Sequence, residues 1–319
     1  MRTNGKPRAP RARHLAVGAL ILAVPGTAVA MQTDVAQALG ATTGPALHSS
    51  VARHSLRYGR YETVHGSAPS GDAGNRVELE FEPAGTGTWQ SLAQSTIASN
   101  DHFSFRVRMH RSGSLRAVSS ASAGAHSTST PPAPSTPQHV GVAAGLRVAR
   151  RSHLARTGHR ITVRGDLEPG QPGLRVRLMA RTDDGWRTMA RASTGRRGGF
   201  VLRYVVHGAG TKWLRVSFAG DQSNRSSWTR AGTATGLVPR VASWYNDAGD
   251  TACGFHARYG VASRTLPCGT KVTFAYDGRS VVATVDDRGP YVYSRDYDLN
   301  QNTASALGMD GVATVLASR

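Results

Sequence analysis

Cysteine is nearly absent from this 319-residue sequence: there are two, Cys253 and Cys268, with none before them. No lipid-anchored N-terminus is therefore expected. Lysine is scarce as well, with only Lys6, Lys212 and Lys271 among 39 basic residues. That arginine bias suggests a high-GC genome and says nothing of mechanism. Acidic residues number 20, which leaves a formal charge of +19. Long apolar runs are missing too. The longest, Leu15 to Val24, falls short of the ~20 residues a transmembrane helix needs. No charged residue lies between Arg116 and Arg147.

The short apolar run has a different use. Arg2, Lys6, Arg8, Arg11 and Arg13 precede it, and Ala28-Val-Ala30 follows. This is the pattern of a secretory signal peptide over residues 1–30, leaving no stable membrane anchor after cleavage. Two cysteines in an exported chain predict a disulfide. Their spacing lacks a second Cys/His pair, so no metal site is expected, and no cofactor is implied. The charge is uneven. Residues 240–319 hold eight basic and eight acidic residues, so the excess lies in residues 1–239. Such a surplus favours a polyanion. For an exported chain that means anionic wall polymers. Nucleic acid is not expected, because no reading motif is visible.

The middle of the chain repeats itself. One copy carries Thr63-Val-His-Gly66, Trp89 and Phe103; the other carries Thr162-Val-Arg-Gly165, Trp186 and Phe200. Apolar and polar residues alternate in both, as in half-buried antiparallel strands. Two β-sandwich repeats are predicted, at 51–118 and 146–238, resembling the immunoglobulin-like spacers of bacterial surface proteins. Trp89 and Trp186 are expected at a core edge, with sugar stacking as the alternative. Residues 31–50 are weakly patterned. The Ser/Thr/Pro-rich stretch 119–145 reads as a linker between the repeats. Leu237-Val-Pro-Arg240 reads as a short joint into the last domain, at 240–319.

That domain has clear β signals. Lys271 to Tyr276 is strand-like, Asp277-Gly278 is a hairpin turn, and Ser280 to Val285 is β-branched and apolar. Asn302 to Gly308 reads as a short helix closed by Gly308. Five blocks stand out: Val241-Ala-Ser-Trp-Tyr245, Thr251-Ala-Cys-Gly254, Arg264-Thr-Leu-Pro-Cys-Gly-Thr270, Asp287-Arg-Gly-Pro290 and Arg295-Asp-Tyr-Asp-Leu299. In this order they resemble the rare lipoprotein A (RlpA)-like family, over residues 241–319 only.

The resemblance implies a six-stranded double-psi β-barrel acting on or binding the glycan strands of peptidoglycan. It places the family's catalytic aspartate at Asp287. Asp298 is a second candidate, either fixing Asp287 or the sugar, or capping the helix after Leu299. Arg288 is read as binding substrate or holding the loop. Trp244, Tyr245, Tyr291 and Tyr293 are stacking candidates. Asp286 should point to the opposite face of its strand. Two positions depart from the family pattern: Ser263 replaces a histidine, and Phe255 replaces a glutamate. Three functions remain open: lytic cleavage of glycan, wall binding or loosening without cleavage, and recognition of another protein.

Overall fold

The computed structural model describes residues 46–120, 132–149, 151–246 and 249–319. The expected signal peptide, and all but the end of the segment 31–50, lie outside the described residues. Among the described residues no helix is long and apolar enough to cross a membrane. Thr43–Arg319 form one compact unit.

The first module contains β1 (His48–Val51), β2 (Ser55–Arg57), β3 (Arg60–Ser67), β4 (Arg76–Pro83), β5 (Gln90–Thr96), β6 (His102–Met109), β7 (Gly113–Ser120) and β8 (Gln138–Ala143). One sheet runs β1-β3-β6 and the other β5-β4-β7-β8-β2, with the β8–β2 pair parallel. Strand β6 shows why these residues choose strands. Phe103, Phe105, Val107 and Met109 alternate with exposed residues and are all buried. They pack against Val77, Leu79, Leu115, Val140 and Val142 of the other sheet. Each such burial is worth about 1.5–3 kcal/mol.

The second module contains β9 (Gly145–Val148), β10 (Arg151–Arg156), β11 (Arg160–Glu168), β12 (Arg175–Thr182), β13 (Gly185–Ser193), β14 (Gly199–Val205), β15 (Gly210–Gly220) and β16 (Arg225–Tyr245). Its sheets run β9-β11-β14 and β13-β12-β15-β16-β10, again with a parallel last pair. The two modules match strand for strand. The matching tryptophans do the same job. The Arg116 guanidinium lies 4.1 Å from the Trp89 ring centre, and Arg215 lies 4.4 Å from that of Trp186.

The stretch 119–145 is not what separates the modules. It begins inside β7, contains all of β8 and ends on the first residue of β9, and β7 and β8 pair with each other. Val140 and Val142 are fully buried, so burial drives this segment into the first module. Residues 121–131, its centre, lie outside the described residues. The passage between modules is Ala144, itself buried, with Ala144 N donating to Arg225 O at 3.1 Å. Asn224 of the second module closes the seam, its Nδ2 donating to His110 O at 3.0 Å and Val142 O at 3.3 Å. The segment 31–50 likewise ends in order, because Leu47 is buried and His48 opens β1.

No joint exists at residues 237–240 either. Strand β16 runs 21 residues without a break. Leu237 pairs with Arg156 of the second module, and the next residue, Val238, pairs with Ala317 of the last domain.

That domain adds β17 (Gly260–Ala262), β18 (Lys271–Tyr276), β19 (Arg279–Asp287), β20 (Tyr297–Asn300), helix α1 (Gln301–Leu307) and β21 (Ala313–Ala317). The pairings run β16-β20-β17-β19-β18-β21 and return to β16, a closed ring. Val261, Phe274, Val285, Leu299 and Leu307 fill it. The β18–β19 turn has φ 44° at Asp277 and 74° at Gly278, the left-handed pair that a two-residue hairpin requires. Asn300 caps α1, its Oδ1 accepting from Thr303 N at 2.9 Å, and Gly308 ends it. The cap is therefore not Asp298.

Candidate active site

Strand β19 carries two adjacent aspartates, and a bulge separates their fates. Val261 pairs with Val285, yet Ala262 pairs with Asp287, so Asp286 is the extra residue. Bulges re-aim side chains in this way. Asp286 is completely buried. Its Oδ2 accepts from Ala257 N at 2.8 Å and its Oδ1 from Val261 N at 3.0 Å. Any side chain at Gly260 would begin 2.2 Å from Asp286 Oδ2, so Gly260 is the residue that admits this carboxylate. Burial pushes the Asp286 carboxyl above its ordinary pKa, the backbone N–H groups of Ala257, Val261 and Asp286 itself pull it down, and the charge of Asp287 pushes it up. Asp286 is a brace for the 257–261 segment.

Asp287 is half-buried on the other side. Its Oδ1 accepts from Ala252 N and from Arg288 N, both at 2.8 Å. Its Oδ2 has no hydrogen-bond partner among the described residues. The register then sets a row across four strands. Ser243 on β16 pairs with Asp298 on β20, Asp298 with Ala262 on β17, and Ala262 with Asp287 on β19. Directly paired residues share a face. Asp287 and Asp298 thus stand on one face, two strand spacings apart, or roughly 9–10 Å. Ala262, between them in the row, is small and buried. Ser243 Oγ donates to Asp298 Oδ1 at 2.7 Å and fixes it.

Aromatic groups flank this row. A Cβ on Gly289 would lie 3.7 Å from Ala262 Cβ and 3.8 Å from Tyr291 Cε2, which puts the Tyr291 ring beside the row. Tyr291 and Tyr293 are 83% and 91% exposed. Arg264 holds their turn: its Nη1 donates to Pro290 O at 2.7 Å, and its guanidinium lies 6.0 Å from the Tyr293 ring centre. Tyr245, half-buried, shares the Ser243 face of β16, whereas Trp244, exposed, pairs with Leu299 and lies on the other face.

Arg288 is committed elsewhere. Its Nη1 donates to Ser263 O at 3.2 Å and Leu266 O at 3.0 Å, and its Nη2 to Cys268 Sγ at 3.1 Å. Of its two expected roles, the contacts are those of a loop clamp. Ser263 is buried, with Oγ accepting from Leu266 N at 3.2 Å, while Phe255 is exposed. Neither brings a titrating group to the row. Arg264 and Ser243 lay within the sequence blocks, but nothing in the sequence distinguished them from their neighbours.

Cys253 and Cys268 form the disulfide, with Cα atoms 5.8 Å apart. It ties together the two loops that touch Asp287: Ala252 donates to the carboxylate, and Ser263 N donates to Asp287 O at 3.1 Å. Replacing both cysteines with serine should lower the stability of the domain by about 3 kcal/mol, the chain-entropy value for a loop of this size. Chemical denaturation of the full chain checks this.

The lytic transglycolase family, a double-psi β-barrel domain, matches residues 240–317. A probable endolytic peptidoglycan transglycosylase RlpA of Synechocystis is 35% identical over 106 residues, covering 28% of this chain and 31% of the relative. Its counterpart in Aquifex aeolicus is 43% identical over 81 residues, 22% of this chain and 36% of the relative. The Nostoc counterpart is 48% identical over 58 residues, 17% and 16%. The chain thus matches little more than a third of these relatives' own length at most. The closed ring of strands and these matches agree that residues 240–317 are an RlpA-like segment of the lytic transglycosylase type.

Proposed function

We propose that this is an exported protein whose barrel cleaves peptidoglycan glycan strands by lytic transglycosylation, with Asp287 as acid and then base. One observation carries the reading: Asp287 is tethered through one oxygen and open at the other, on a face shared with Asp298. The chemistry needs one such carboxyl. As general acid, Asp287 gives a proton to the glycosidic oxygen as the bond to C1 breaks. The substrate's own C6 hydroxyl then closes on C1 and returns its proton to Asp287. An anhydro sugar forms, no water is consumed, and the carboxyl is regenerated. Asp298 and the Tyr291 ring orient the sugar. The two preceding modules act as immunoglobulin-like spacers that carry the barrel.

A second reading is noncatalytic binding or loosening of the wall, favoured by Ser263 and Phe255 at the departed positions. Incubating purified sacculi with the full chain, followed by mass spectrometry of the soluble products, separates the two. Anhydro-muropeptides are expected. Their absence alongside retained sacculus binding would replace cleavage with recognition.

A further inference from the structure

The two modules preserve one scaffold but differ on a single outer sheet face, and the difference points to a ligand. In the first module Arg116 stacks on Trp89 and is paired by Glu80, Nε to Oε2 at 2.7 Å. Glu80 stands opposite Arg116 in the β4–β7 register. In the second module the residue opposite Arg215 in the equivalent β12–β15 register is Met179. Glu78 and Glu82, on either side of Glu80, correspond to Arg177 and Arg181. The stack has been kept while its neutralising carboxylates have been exchanged for a thioether and two guanidinium groups.

The second module also adds a ring. The Arg215 guanidinium lies 4.4 Å from the Trp186 ring centre and 5.7 Å from that of Trp228, which is 60% exposed. Leu178, Leu214 and Val216 beside these residues are buried in the core, so Met179 and Arg215 lie on the outer side of the sheet. Burial and the neighbouring Arg181 and Arg177 push Arg215 below its ordinary pKa, as expected of a cation without a counter-ion. Its Nε is buried without a hydrogen-bond partner. The nearest acids in sequence, Asp183 and Asp184, are exposed in the β12–β13 turn at the edge of this face.

We infer that the outer face of β12, β13, β15 and β16 is a binding site for a polysaccharide whose sugar rings bear carboxylates. Charge complementarity selects a polyanion, and the guanidinium groups suit carboxylates by forked pairing. The exposed Trp228 indole selects a polymer with flat, apolar ring faces to stack on it, which a ring-free poly(glycerol phosphate) lacks. This site is separate from the Asp287 row, and its existence does not depend on cleavage by the barrel.

The experiment is affinity electrophoresis of the full chain in gels containing polygalacturonate, neutral dextran, poly(glycerol phosphate) or poly(dT). Retardation is expected in polygalacturonate and not in dextran, weakening with added salt as exposed charges are screened. Two variants probe the face. Trp228→Ala removes an exposed ring. Met179→Glu restores the carboxylate of the first module at a surface position, and each should weaken polygalacturonate binding roughly tenfold, a change of ~1.4 kcal/mol. Circular dichroism confirms that both remain folded. Wild-type retardation in both variants would overturn the inference. So would retardation by poly(glycerol phosphate) as strong as by polygalacturonate, or a Trp228 dependence seen only with poly(dT), the mark of a nucleic-acid surface.

Discussion

Asp287→Asn should abolish anhydro-product formation while leaving the domain folded. The amide is isosteric, and its Oδ1 can still accept from Ala252 N and Arg288 N, the two bonds that tether the native carboxylate. What is lost is the ability to give and take a proton at the open Oδ2 position. Removing a general acid/base costs about 10²–10⁴-fold in rate, whereas a partly exposed substitution that keeps its hydrogen bonds shifts stability by ~0.5 kcal/mol or less. The check is product mass spectrometry beside a thermal melt and sacculus pull-down on the same preparation. Wild-type product yield from the variant would remove Asp287 from the reaction. Loss of sacculus binding with no products from the wild type would make the row a recognition site.

Asp286→Ala should do the reverse, unfolding the site without touching the reacting atoms. The substitution strips the acceptors from Ala257 N and Val261 N and leaves a void beside Gly260. Each unpaired buried N–H costs about 1–3 kcal/mol, so a loss of roughly 2–5 kcal/mol is expected by denaturant titration. Asp286→Asn fails as well, since its amide NH₂ would face one of the two N–H donors. The pH dependence has a definite sign. Because the folded pKa is raised, the native state holds this proton more tightly than the unfolded chain does. The titration therefore favours the fold fully below the unfolded value of about 3.9 and withdraws that support as pH rises through the folded value. The stability gap between wild type and Asp286→Ala should be widest in acid and narrow toward neutrality. A gap that grows with pH, or a variant as stable as wild type, would show that Asp286 is not a brace.

These two neighbours show where sequence reasoning reached and where it stopped. Alternation along β19 was enough to set Asp286 and Asp287 on different sides. It could not reveal the bulge, because a bulge depends on the partner strand, here β17. Strand β18, the Asp277-Gly278 turn and the short helix were all legible, being local patterns with local causes. The helix lies within one residue of its expected bounds, at Gln301–Leu307. Strand β8 was not legible. Its Val140 and Val142 follow a Ser/Thr/Pro-rich stretch, and what makes them a strand is the remote edge of β7 and the parallel edge of β2. The clamp made by Arg288 was ambiguous for the same reason. A guanidinium beside an aspartate reads equally as a substrate contact or a loop tie, and its hydrogen bonds to the Ser263 and Leu266 carbonyls come from a remote loop.

The unbroken strand β16 fixes a length. Arg230, in the second module's sheet, and Ser243, at the start of the aspartate row, lie on one extended segment. At ~3.3 Å per residue the two positions are at most about 40 Å apart along the strand. The segment bulges at Ala231 and bends at the left-handed Gly232, but it is paired with a neighbouring strand along its length, so its reach varies less than that of a free tether. A polymer held on the Arg215 and Trp228 face would present to Asp287 a stretch within that reach. The protein would measure before it cuts.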